Sequence, residues 1–249
     1  MRLSAGERAS TSCRHVLFSA LIRFDSRFMK HTSALGDSII QPGLYLVLEL
    51  DENTDASQLA GAIDAAKWQS ALLLGSFASA PAVATAKTIV TGLQKRGTAV
   101  LVAGDAAAVV ALKADGLHLA ASKNVAAVYR EARKTLGPAA IIGADAGRSR
   151  HDAMELGEGG ADYIAFGIPP HVTGRDIARE RQLELIAWWS DVFEPPCVAM
   201  DVETADHARA LANAGADFIA ITVSFGGLSP GVADVQAFTG AIARGHQIA

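Results

Sequence analysis

The sequence predicts a single (β/α)8 barrel running from about Gly43 to the C-terminus. Three observations predict it. Short apolar runs of strand length alternate with helical patterns of roughly 10 to 15 residues, which implies βαβ units and a parallel sheet. Eight such runs can be counted, so the sheet can close on itself and leave no edge. The chain has 249 residues, 50% of them hydrophobic, which suits one α/β barrel with a large core.

The elements follow in order. The first strand is Leu44–Leu50, and the helix after it is Ala56–Ala66, with Asp55 and Ser57 near its start as caps. The second strand, Ala71–Leu74, leads to a helix over Ala82–Lys95 that ends in Lys95-Arg96-Gly97, with cations in the last turn and glycine beyond. Ala99–Val102 and Gly116–Leu119 are the third and fourth strands, and Asn124–Leu136 is a helix stopped by Gly137. Strands Ala140–Gly143, Tyr163–Phe166, Cys197–Met200 and Phe218–Thr222 complete the set. Their helices are Arg150–Leu156, Ile177–Trp189, Ala205–Ala214 and Val232–Ala243. Nearly every strand is apolar on both alternating faces, as expected when helices cover one side and barrel core fills the other.

A weak internal repeat places the bottom of the barrel. Ala114-Asp115-Gly116, Ala161-Asp162-Tyr163 and Ala216-Asp217-Phe218 each follow a helix and open a strand. Aspartates there serve stability by accepting hydrogen bonds from loop amides.

Residues 1–42 differ from the rest. They carry Arg2, Arg8, Arg14, Arg23 and Arg27 without clean periodicity, and are expected to be a disordered or loosely docked leader ahead of the barrel domain, 43–249. A start at Met29 is a second reading. A targeting peptide is a third, weakened by Glu7, Asp25 and the lack of a clear cleavage site.

The formal net charge of −4 gives no whole-protein attraction to nucleic acid or anionic membrane. Cys13 and Cys197 are too few for a disulfide framework, so a reduced, cytoplasmic setting is expected. No apolar run reaches the roughly 18 residues of a membrane span.

Chemistry in such a barrel sits at the C-terminal ends of the strands. Asp145, His151 and Lys123 follow the fifth and fourth strands and are candidate catalytic residues. Arg148, Gly167, Thr173, Arg175 and Asp201 follow the fifth, sixth and seventh strands, and Thr222, Ser224, Gly226 and Gly227 lie at the eighth. These are candidates for binding a phosphorylated ligand, since arginine suits phosphate and a glycine pair lets backbone amides approach it. Asp105 is a candidate Mg²⁺ ligand. His118 lies inside the fourth strand, where a hydrogen-bonded core role outweighs catalysis. No Cys/His metal spacing, nucleophile elbow or dinucleotide fingerprint appears.

At these residues the sequence resembles the thiamine-phosphate synthases and their TenI-like thiazole tautomerase relatives. The resemblance covers about Gly43 to Arg244. It rests on Gly43-Leu44-Tyr45-Leu46-Val47, Ala114-Asp115-Gly116-Leu117-His118-Leu119, Gly160-Ala161-Asp162-Tyr163-Ile164-Ala165-Phe166-Gly167 and Ala214-Gly215-Ala216-Asp217. It implies a (β/α)8 barrel that joins a pyrimidine pyrophosphate to a thiazole phosphate with Mg²⁺.

The departures are local. The pyrophosphate segment Gln-x-Arg-x-Lys is replaced by Leu74-Gly75-Ser76-Phe77-Ala78, without a cation. An Asn-Asp pair falls on Ala103-Gly104, beside Asp105, and the second metal carboxylate falls near Lys123. Thr-x-Thr-Lys becomes Val172-Thr173-Gly174-Arg175, and a Gly-Gly pair becomes Asp201-Val202. An anion at Asp201 opposes a phosphate there by a few kcal/mol at an effective dielectric of about 20.

The resemblance therefore implies an enzyme of thiamine metabolism that joins or processes phosphorylated thiazole or pyrimidine precursors, with a degenerate metal and pyrophosphate site. A non-catalytic phosphate-ligand-binding or regulatory barrel of the same family is the alternative. A phosphosugar-type isomerase with Asp145 or Asp201 as base is a weaker third reading. The expected partners are a phosphorylated small molecule and further copies of the chain, not nucleic acid or membrane.

Overall fold

A computed structural model describes residues 41–52, 54, 56–169, 171–223 and 232–245. The strands are β1 (Gly43–Leu50), β2 (Ser70–Gly75), β3 (Ala99–Ala103), β4 (Gly116–Leu119), β5 (Ile141–Asp145), β6 (Tyr163–Phe166), β7 (Cys197–Ala199) and β8 (Phe218–Val223). All eight pair in parallel in sequence order, and β8 returns to β1 to close the barrel. The helices are α1 (Ala60–Asp64), α2 (Ala80–Lys95), α3 (Ala106–Leu112), α4 (Val125–Leu136), α5 (Arg150–Glu158), α6 (Arg175–Val192), α7 (Ala205–Asn213) and α8 (Val232–Gly245). Among the described residues no helix is long and apolar enough to cross a membrane. The expected leader lies outside the described residues apart from Gln41 and Pro42.

Several helix bounds differ from expectation, and in three helices the reason is local. The first is shorter: a 3₁₀ turn, Ala56–Leu59, precedes α1, which stops at Asp64. The Trp68 indole donates to the carbonyls of Ala62 and Ile63, both at 3.2 Å, and so takes acceptors that a longer helix would use. Helix α2 starts two residues earlier than expected, because Ser79 caps the Ala82 amide and Pro81 suits the first turn. Helix α3 is absent from the expected set. Its sequence, AAAVVAL, has no polar face and therefore no helical stripe, but Asp105 caps it and Lys113 ends it at φ 55°.

The bottom of the barrel is built from one repeated contact. Asp115 accepts the Val100 amide at 2.8 Å, Asp162 the Ile142 amide at 2.7 Å, and Asp217 the Cys197 amide at 2.8 Å. In each case the residue before an even-numbered strand satisfies an amide of the strand preceding it. Gln69 does the same before β2, accepting the Leu44 amide at 2.7 Å. The three-fold sequence repeat is thus a four-fold structural one. Asp162 also holds Arg133 at 2.5 Å, which ties α4 to the base.

The barrel interior is packed by Tyr45, Val47, Leu72, Leu101, Tyr163, Val198 and Met200. Two tyrosines there would be left with unsatisfied hydroxyls, but Tyr45 Oη lies 3.0 Å from Tyr163 Oη, and Tyr163 Oη lies 2.7 Å from His118 Nδ1. Gly143 makes room for this group, because a Cβ there would come within 2.0 Å of the Tyr163 ring. Burial lowers the His118 pKa to about 4, so its imidazole is neutral. His118 is a satisfied residue of the interior.

Candidate active site at the barrel mouth

The C-terminal ends of β5, β6 and β7 bring two carboxylates together. Asp145 is the last residue of β5, and its Oδ1 accepts from the amides of Gly147 at 2.6 Å and Gly167 at 3.2 Å. Asp201 follows β7, and its Oδ2 accepts from the Ile168 amide at 2.8 Å. Between them stands Gly167, directly after β6. A Cβ on Gly167 would lie 2.7 Å from Asp201 Oδ2 and 2.8 Å from Asp145 Oδ2. The two carboxylates therefore approach the same point, and glycine is the residue that leaves room for them. Asp201 itself has φ 54°, a left-handed conformation that favours glycine.

Both acids are shifted, each chiefly by burial. Burial raises the Asp145 pKa to about 6; the Asp201 charge adds to the rise, and the Gly147 and Gly167 amides oppose it. Asp201 faces the open mouth, yet the protein packed round its carboxylate raises its pKa too. The Ile168 amide and Arg175 oppose that rise, while Glu203 and Glu49 add to it.

Helix α6 supports the pair from behind. Gln182 is buried at 2% exposure, and its Nε2 donates to the Phe166 carbonyl at 2.6 Å and the Met200 carbonyl at 2.7 Å. Both neighbours are acceptors, so the amide nitrogen must face them. One side chain thus pins the ends of β6 and β7 directly below Gly167 and Asp201. Arg175 donates through Nε to Glu203 at 2.7 Å, and Arg179 also bonds Glu203. These two cations hold the Glu203 carboxyl below its ordinary pKa, Arg179 first. His207 is buried behind this network with neither ring nitrogen in a hydrogen bond.

The other expected residues are more dispersed. Lys123 and Arg148 are exposed on the turns after β4 and β5, and no described residue pairs with either. Thr173 is exposed in the turn before α6, and Thr222 is half-buried at the end of β8. Ser224, Gly226 and Gly227 lie outside the described residues. His151 is exposed in the first turn of α5, where its donor atoms and those of Asp152 and Glu155 lie within 4.8 Å of one another. Arg130 already bonds Glu155 there at 3.1 Å. Sequence reasoning placed Asp145 and Asp201 at the mouth but missed Gln182, which occupies a core position of the α6 stripe Ala178, Gln182, Leu185, Trp189. A lone amide in an apolar stripe was the available signal.

The residues do not fit a Mg²⁺ site at the third and fourth strand ends. Asp105 spends its carboxylate on the Ala108 amide at 3.0 Å, as the cap of α3. Lys123 presents an ammonium where a hard cation requires oxygen.

Comparison with known proteins assigns the barrel. A family model described as thiamine monophosphate synthase matches residues 45–225. The chain is 47% identical over 113 residues to the thiamine-phosphate synthase of Erythrobacter litoralis, covering 45% of this chain and 52% of that protein. It is 42% identical over 129 residues to that of Hyphomonas neptunium, covering 52% of this chain and 57% of the relative. The chain therefore spans about half the length of these curated relatives. It is 31% identical over 196 residues to the thiamine-phosphate synthase of Methylobacillus flagellatus, covering 72% of this chain and 85% of that one. Among solved structures, the thiamine phosphate pyrophosphorylase from Pyrococcus furiosus shares the fold at a TM-score of 0.65 and 19% identity, covering 82% of this chain and 96% of that one. A barrel matched by the family model over its strands, from β1 to the end of β8, belongs to the thiamine monophosphate synthase family.

Proposed function

We propose that this chain is a thiamine-phosphate synthase-like enzyme that joins or processes phosphorylated thiazole or pyrimidine precursors at the barrel mouth. Family membership supplies the substrate class. The observation that carries the chemistry is the Asp145 carboxyl, raised to about 6 and facing Asp201 across Gly167. An acid with a pKa near neutrality is suited to giving and taking a proton. In this reading Asp145 moves a proton at the bound heterocycle, and Asp201 holds the charge that keeps Asp145 poised. Lys123 and Arg148, unpaired among the described residues on the β4 and β5 turns, take the phosphorylated end of the ligand. Charge neutralisation by these cations replaces the carboxylate-held metal at those strand ends.

The test is turnover of the full chain with thiazole phosphate and pyrimidine pyrophosphate, with Mg²⁺ and with EDTA. The expected result is product in both conditions and a loss of about 100-fold or more in kcat for Asp145→Asn, the usual scale for a general acid or base. No turnover in either condition, with thermal stabilisation by either substrate, would instead support the non-catalytic barrel, which the replaced metal carboxylates favour.

A further inference from the structure

Barrels of this architecture bind phosphate with backbone amides beyond the seventh and eighth strands. Here the amides of the β5 and β6 turns that lie beside Asp201 already have anionic partners from the chain itself. The Gly147 and Gly167 amides donate to Asp145, and the Ile168 amide donates to Asp201. The nearby guanidinium groups are engaged as well, since Arg175 and Arg179 both bond Glu203. Every one of these donors, which would otherwise serve a bound anion, faces a fixed carboxylate. By contrast, Lys123 and Arg148 on the β4 and β5 side are unpaired among the described residues. Among the described residues the mouth is therefore cationic on the β4–β5 side and anionic beside β7.

We infer that Asp201 is a specificity-determining residue that acts as a built-in anion: it occupies the Ile168 amide, excludes phosphate from the β6–β7 side of the mouth, and selects a ligand end that is unphosphorylated and donates hydrogen bonds, such as a protonated ring nitrogen. This deepens the proposed function and rests on it for the heterocyclic class of ligand. Three features support it. The Asp201 carboxylate is itself an acceptor aimed at a backbone donor, so a phosphate oxygen must displace it to reach the same amide. Asp145 stands on the other side of Gly167, so a dianion there meets two carboxylates at once. The left-handed φ of 54° at Asp201 is a conformation in which glycine is the easy residue, and a carboxylate is held there instead.

That conformation also supplies the experiment. Asp201→Gly removes the anion and relaxes the backbone, so the variant is expected to fold. Asp201→Ala likewise removes both the charge and the acceptor for Ile168, and gives the same comparison if the glycine variant does not fold. The amide resonances of Gly167 and Ile168 are followed in the ¹⁵N-labelled full chain during titration with inorganic phosphate, and separately with imidazolium as a small heterocyclic cation. In the wild type, imidazolium moves these two amides and phosphate does not. In Asp201→Gly, phosphate moves Ile168 at concentrations at least tenfold below those that leave the wild type unmoved, and the imidazolium response weakens at least tenfold. If phosphate moves Ile168 in the wild type as readily as in the variant, the exclusion is wrong. If phosphate moves it in neither, Asp201 is not guarding an anion site, and the inference also fails. Imidazolium binding that is equal in both proteins overturns the choice of a donor-bearing end. Because both probes are generic, these outcomes are read whether or not any thiamine precursor is turned over, so failure of the proposed function remains distinguishable.

Discussion

At the scale of single residues, the mouth depends on two carboxylates that flank Gly167, each raised in pKa chiefly by burial. Asp145 ionises with difficulty in the folded state because it is buried and faces Asp201. Its folded pKa of about 6 lies above its ordinary value of 3.8, so the native state binds the proton more tightly than the unfolded chain. Stability from this group is present below about pH 4 and is lost as pH rises through about 6. Asp145→Asn keeps an oxygen for the Gly147 and Gly167 amides and turns an NH₂ group toward Asp201. The expected result is stabilisation of about 1–2 kcal/mol at pH 8 and little change at pH 4, measured by urea unfolding at both values. The interior makes the opposite demand for space. Gly143→Ala drives a methyl into the Tyr163 ring and is expected to cost about 1–3 kcal/mol or more, read from the same unfolding curves.

The two acids were legible in the sequence because strand-end position is a property of sequence order. Their hydrogen bonds were not. Asp145 has one local partner, the Gly147 amide two residues on, but the other partners of Asp145 and Asp201 are backbone amides of the β6 turn, residues 22 and 33 positions away, which no spacing rule connects. Asp105 shows the converse. It was legible as a polar residue after β3, but helix α3 was invisible without a polar face, so its capping role could not be seen.

At the scale of elements, the strands were the most legible part, since each is an apolar run bounded by turn residues. Their ends are fixed by contacts between elements. Gln182 of α6 bonds the Phe166 carbonyl at the end of β6 and the Met200 carbonyl just after β7; replacing it with leucine leaves Phe166 the Met200 amide as donor but takes from the buried Met200 carbonyl the donor that Gln182 gives it. Gln182→Leu is expected to cost about 1–3 kcal/mol by thermal or urea unfolding. Because the β6 end then loosens beneath Gly167, the midpoint of Asp145 is expected to fall from about 6, a change that destabilisation elsewhere would not produce. At the opposite end of the barrel, Asp162→Ala removes the partner of both the Ile142 amide and Arg133. A loss of about 2–4 kcal/mol is expected, with binding at the mouth unchanged in the protein that remains folded.

At the scale of the whole molecule, the scaffold and its chemistry have separate origins. The closed barrel, its packed interior and its four-fold base require only apolar strands and one acceptor before every second strand. The thiamine monophosphate synthase family model spans this barrel, and three of its four base acceptors, Asp115, Asp162 and Asp217, were legible in the sequence while Gln69 was not. The mouth is free to vary because its side chains carry little of this packing, and here it joins unpaired cations beside β4 and β5 to paired carboxylates beside β5 and β7.

The coupling of those carboxylates is the centre of this mechanism, and site-specific titration of the Asp145 carboxyl by ¹³C NMR tests it most directly. A midpoint of about 6 is predicted in the wild type, falling in Asp201→Asn while staying above the ordinary aspartate value because burial remains. A midpoint near 4 in both proteins would contradict it.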